Sequence, residues 1–174
     1  MKVISLWLAI SLFSASVVCA EENPKSITGY GKTTWGMSVE QVVQAESPRA
    51  QKLSEPQKYG KGSLGLVEIS DIKIGASTFR ASFLFDESGQ LLRQVNLSGL
   101  EKSAGANFVI FSSLERMLTE KYGQPTYKKA SSEATWKLEQ TVVSLEHTYI
   151  PSLFSKVVIT YKPVTAGVLE SRDL

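Results

Sequence analysis

His147 is the only imidazole in the chain and Cys19 the only thiol, so the side chains that build most nucleophilic and metal centres are nearly absent. A histidine serves as a general base when a nucleophile or substrate pocket adjoins it. Here it falls in a strand candidate, Thr141 to Tyr149, on one face with Val143, Leu145 and Tyr149. A partly buried, hydrogen-bonded histidine is the expected reading. Glu146 points to the opposite face of a regular strand, so the two form no dyad. Serine hydrolysis would need a serine, His147 and one of Asp71, Asp86 or Asp173, or a glutamate in that place. No G-x-S-x-G elbow is present, and Asp86 is accounted for by a turn. Carboxylates alone would have to complete a metal site, no pair of acids is singled out for glycoside chemistry, and no phosphate loop, nucleotide fingerprint or calcium loop occurs. The chain is therefore read with no catalytic residue, no cofactor and no metal.

Two stretches have the composition of contact surfaces. Tyr149-Ile150-Pro151-Ser152-Leu153-Phe154 joins two strand candidates and is more apolar than a loop usually is. Exposed, Tyr149, Ile150, Leu153 and Phe154 would anchor a protein partner; folded back, they would plug the end of a sheet. Arg49, Lys52, Lys58 and Lys61, with Glu55 as the only acid among them, make the loop after the first helix basic. That loop could meet anionic headgroups or an acidic partner, or it could be an ordinary solvated loop.

The N-terminus gives a destination. Lys2 precedes an almost wholly apolar run, Val3 to Val18, and Val18-Cys19-Ala20 offers small residues before Glu21, which is the pattern of an export signal cleaved near Ala20. Cys19 is not read as a lipid anchor, because Ser16 and Val18 stand where lipoprotein signals carry Leu and a small residue. Beyond the signal, 18 basic and 17 acidic residues remain, a balance that gives no reason to expect nucleic acid as partner. No later segment reaches the roughly 20 apolar residues of a membrane span. A chain of roughly 150 residues buries about 68–70% of its unfolded surface and needs no disulfide.

These residues need elements to hold them. Glu21 to Thr34 reads as a flexible lead-in, with order from Trp35. Ser38 and Gln41 form a capping box before Val39, Val42 and Val43, predicting a short helix that ends before Pro48. Residues 47–63 are read as a loop. Leu64 to Ile74, Phe79 to Phe85 and Leu91 to Leu97 then make a three-stranded meander, with Phe79, Ala81, Phe83 and Phe85 of its middle strand on one face and Arg80, Ser82 and Leu84 on the other. Phe108, Phe111, Leu114, Leu118 and Tyr122 mark a second helix, stopped by Gly123 and Pro125. Ala134 to Leu138, Thr141 to His147 and Lys156 to Tyr161 follow as strands, and 164–174 as a tail. The fold class expected is α+β: helix-βββ-helix-βββ, with an antiparallel sheet and both helices packed on one face, in one domain over 35–163.

Gly36-Met37-Ser38-Val39-Glu40-Gln41-Val42, with the later Phe83-Leu84-Phe85-Asp86-Glu87-Ser88-Gly89-Gln90-Leu91, resembles the pattern of the SmpA/OmlA-type outer-membrane assembly lipoproteins and related small periplasmic domains. Trp35-Gly36-Met37-Ser38, Lys121-Tyr122-Gly123-Gln124-Pro125 and Trp136 look similar to a broad group of exported bacterial proteins. The resemblance implies a periplasmic interaction domain and transfers no active site. The expectation is thus a periplasmic, non-catalytic protein-interaction or envelope-assembly module of undetermined oligomeric state. Two alternatives stay open: an inhibitor or immunity protein against an exported enzyme, since helix-plus-sheet duplications resemble the β-lactamase-inhibitor-like fold, and a carboxylate- or His-dependent hydrolase.

Overall fold

The computed structural model describes residues 27–164. The signal expected over residues 1–20, Cys19 within it, and the tail beyond Val164 lie outside the described residues. Two helices and eight strands follow in the order α1 (Val39–Ala45), β1 (Gln51–Lys58), β2 (Leu64–Ile74), β3 (Ser77–Phe85), β4 (Leu92–Gly99), α2 (Ala104–Tyr122), β5 (Tyr127–Lys129), β6 (Glu133–Lys137), β7 (Thr141–Ile150) and β8 (Phe154–Pro163). All eight strands form one antiparallel sheet in the order β1-β2-β3-β4-β8-β7-β6-β5. The α+β class and antiparallel sheet stand. The unit is helix-ββββ, used twice, and not helix-βββ.

The extra strands are β1, inside the segment read as a loop, and β5. Both are sheet edges. Seven of the eight β1 residues are exposed and all three of β5 are, so neither strand has a buried face to impose a period of two. Lys52, Pro56 and Lys58 on β1, with Lys128 and Lys129 on β5, are the charges and imino acid that keep an edge from recruiting another strand.

One face of the sheet carries the core. Register places Val67, Phe83, Val95, Tyr161 and Val143 in one row, and Ile69, Ala81, Leu97, Ile159 and Leu145 in the next. Val39 and Val42 of α1 and Phe111, Leu114, Leu118 and Tyr122 of α2 join this cluster. The other face is mostly polar, with Arg80 on Glu68 at 3.3 Å and Gln94 and Thr160 both donating to Asn96 Oδ1, and Leu84 is its buried apolar exception.

α1 starts on the capping box the sequence announces: Ser38 Oγ accepts from Gln41 N, and Gln41 Oε1 accepts from Ser38 N. Ile27–Thr34, expected within the lead-in, is packed. Tyr30 lies against Phe83 and Tyr161, and Thr141 Oγ1 donates to Ile27 O. Trp35 Nε1 donates to Thr141 Oγ1 at 3.0 Å. The lead-in reads as flexible because its polar and Gly residues hide one aromatic anchor, Tyr30.

Candidate functional site

The segment 149–154 is not a long loop. Tyr149 and Ile150 end β7, Phe154 begins β8, and Pro151-Ser152-Leu153 alone turn the chain, with Ser152 at φ 60° and Leu153 N–H bonded to Ile150 O. A turn this short cannot fold its side chains back over the sheet. Tyr149, Ile150 and Phe154 remain 45–46% exposed and Leu153 80%. Phe108 of α2 meets Tyr149 edge-on at 5.6 Å and extends the apolar surface onto the helix.

Facing this turn is the β4–α2 linker. Leu100, Glu101, Lys102 and Ala104 on one side, with Ile150, Leu153, Phe154 and Ser155 on the other, enclose a cleft of about 470 Å³. Glu101 shapes the linker by accepting from Lys102 N at 2.8 Å and Ser103 N at 2.7 Å. Those backbone N–H groups, Ser103 first, hold its carboxyl below the usual glutamate range. Lys102 and Lys156 also line the cleft, and among the described residues neither has an ion-pair partner.

Behind the cleft lies a polar cluster. His147 is buried, with Nε2 3.0 Å from Ser155 Oγ and Nδ1 3.4 Å from Ser131 O. Asn107, fully buried on α2, donates Nδ2 to Ser155 Oγ at 3.1 Å and to Glu101 O at 3.2 Å. Phe108 stands edge-on to the imidazole at 4.6 Å. Ser155 and Asn107 were not singled out in the sequence. The signal that finds Ser155 is the hairpin register, which pairs it with Tyr149 and so places it one step along the same face from His147. Asn107 carries no comparable mark. Glu146 is exposed while His147 is buried, as the strand alternation requires.

The four cations of the basic stretch are not brought together. Arg49 Nη2 is 2.6 Å from Glu46, whose side chain is fully buried, and Lys52 reaches Glu40 at 3.4 Å in solvent. Arg49 lines a hollow with Asp71 and Lys73, whereas Lys52 lines another with Glu40 and Gln90. Lys58 and Lys61 are exposed near the start of β2. Pairing of Ser98 with Val158 and of Val95 with Tyr161 sets the 151–153 turn at the end of the sheet where β4 finishes. Pairing of Leu64 with Phe85 sets Lys58 and Lys61 at the other end. Lys58 and Lys61 are therefore at the opposite end of the sheet from the turn, whereas Lys52 pairs mid-sheet and Arg49, beside Asp71 and Ile72, lies toward the end where β4 finishes.

Asp86 is a turn residue, accepting from Ser88 Oγ and Gln90 N; the Ser88 hydroxyl first, then the Gln90 N–H, lower its pKa. Among the described residues no three His, Asp or Glu gather as a metal site, and no helix is long and apolar enough to cross a membrane. Comparisons of the chain with models of protein families, with curated proteins and with solved structures found no match.

Proposed function

We propose that this is an exported protein of the bacterial envelope that works by holding a partner protein in the cleft between the β7–β8 turn and the β4–α2 linker. The observation that carries the reading is the concentration of large apolar side chains, Tyr149, Ile150, Leu153 and Phe154, exposed around one short turn. Such a group in water is a cost that burial against a partner removes, and anchors of this type dominate interface energies. Lys102 and Lys156 give the cleft rim a positive potential, so the segment it suits is an apolar anchor flanked by carboxylates. Strand addition is the weaker mode here, because both sheet edges carry lysine. The apolar run at the N-terminus supports export, and the resemblance to SmpA/OmlA-type domains agrees with an assembly role in the periplasm.

Photo-crosslinking in cells from a reactive residue placed at position 153, with position 58 as the distant control, tests this. The expected adduct forms from 153 only, and its partner peptide carries an apolar residue beside acids. Adducts from 58 alone, or a basic partner peptide at 153, would refute the reading.

A further inference from the structure

We infer that Ser155 is a nucleophile activated by His147, and that the cleft can take a carboxylic ester with its apolar acyl group against Leu100, Ile150, Leu153 and Phe154. The inference goes beyond the docking role and needs no partner protein. Hydrogen-bond direction carries it. Glu101 O can only accept, so the Asn107 atom 3.2 Å away is the amide nitrogen, and the same nitrogen donates to Ser155 Oγ. Ser131 O can only accept, so the neutral imidazole carries its proton on Nδ1. Nε2 is left as an acceptor 3.0 Å from Ser155 Oγ, and the serine proton is directed to it. Nucleophile, base and base-orienting carbonyl thus stand in the order that acyl transfer requires. Asn107 is a positioning residue, and its Oδ1 is buried without a hydrogen-bond partner among the described residues.

The cleft supplies the remaining parts. Ser155 and Ala104 both line it. In the first turn of α2, Ser103 Oγ accepts from Ala106 N and Ser103 O from Asn107 N; the N–H of Ala104, which lines the cleft, is the donor assigned to the developing oxyanion. Ser155 Oγ attacks the ester carbonyl carbon while its proton passes to His147 Nε2. The tetrahedral adduct expels the alcohol, which takes that proton. Water then attacks the acyl-Ser155 ester, giving its proton to His147 and from there to Ser155, and the carboxylic acid leaves.

A fluorophosphonate probe on the purified full chain, with the adduct mapped by peptide mass spectrometry, tests the assignment directly. The expected result is one adduct per chain, on Ser155. Hydrolysis of p-nitrophenyl hexanoate is expected to exceed that of the acetate, to vanish in Ser155→Ala, and to fall by about 100-fold or more in His147→Gln. Mapping uses the unaltered chain, so it decides the question even if a variant fails to fold. A folded chain that stays unlabelled at Ser155 overturns the proposal and leaves the docking role untouched.

Discussion

Glu46 is the one buried acid among the described residues, and it shows how a single side chain fastens two segments of the fold. Its carboxylate accepts from Lys32 N at 2.7 Å and from Arg49 Nη2 at 2.6 Å, fastening the N-terminal segment to the end of α1. Glu46→Ala strands a backbone donor and is expected to cost about 3 kcal/mol in urea denaturation. Arg49→Ala removes a partner that is 56% exposed and should cost less than about 1 kcal/mol. Equal losses would show that the ion pair, and not the buried acceptor, is what matters. Nearby, Tyr30 and Tyr161 have pKa values raised first by burial, Tyr161 well above 10. Because the folded state keeps both neutral, their contribution is whole below about pH 10, where an unfolded tyrosine ionises, and is lost as pH climbs from there. Absorbance at 295 nm should show these two titrating after the exposed tyrosines, and stability falling above that pH. At this scale the sequence exposes His147 because it is unique, but not Ser155 or Asn107. Serine is common and nothing marks Asn107 among the three asparagines; the hairpin register brings Ser155 to the imidazole, and the packing of α2 brings Asn107 to Ser155.

The elements divide by whether they own a buried face. β2, β3, β4 and α2 are legible because packing writes a period into them, and α2 runs from Ser103 to Gly123 as its apolar stripe and glycine stop predict. β1 and β5 are illegible for the reason that makes them edges: water meets both faces, so nothing selects alternation. The short turn at 151–153 was hidden differently, by apolar residues that resemble core on a string of letters. Trp136 illustrates how an element is locked once packed. Its ring is buried in β6 and its Nε1 donates to Gly123 O, the carbonyl just beyond α2, at 2.9 Å. Trp136→Phe keeps most of the packing and loses that bond. A destabilisation of about 1–3 kcal/mol is expected by thermal or urea unfolding, and a neutral result would mean that the carbonyl finds another donor.

Across the whole molecule, the last strands of the two helix-ββββ units, β4 and β8, pair with each other, and the chain from Ile27 to Trp35 spans the join by reaching Phe83 on one side and Thr141 and Tyr161 on the other. One core cluster runs through both halves. This arrangement gives the sheet two distinct ends: the 151–153 turn, the β4–α2 linker and the His147 cluster share one, and Lys58 with Lys61 sit at the other. The duplication was visible in outline from the order of predicted elements. The separation of the two surfaces was not, since it depends on strand register. The docking account places function at the apolar end alone. Binding of the crosslinked partner segment, measured by isothermal titration calorimetry, should weaken at least about 10-fold in Phe154→Ser, about 1.4 kcal/mol, and stay unchanged in Lys58→Glu. Affinity retained in Phe154→Ser and lost in Lys58→Glu would contradict the account.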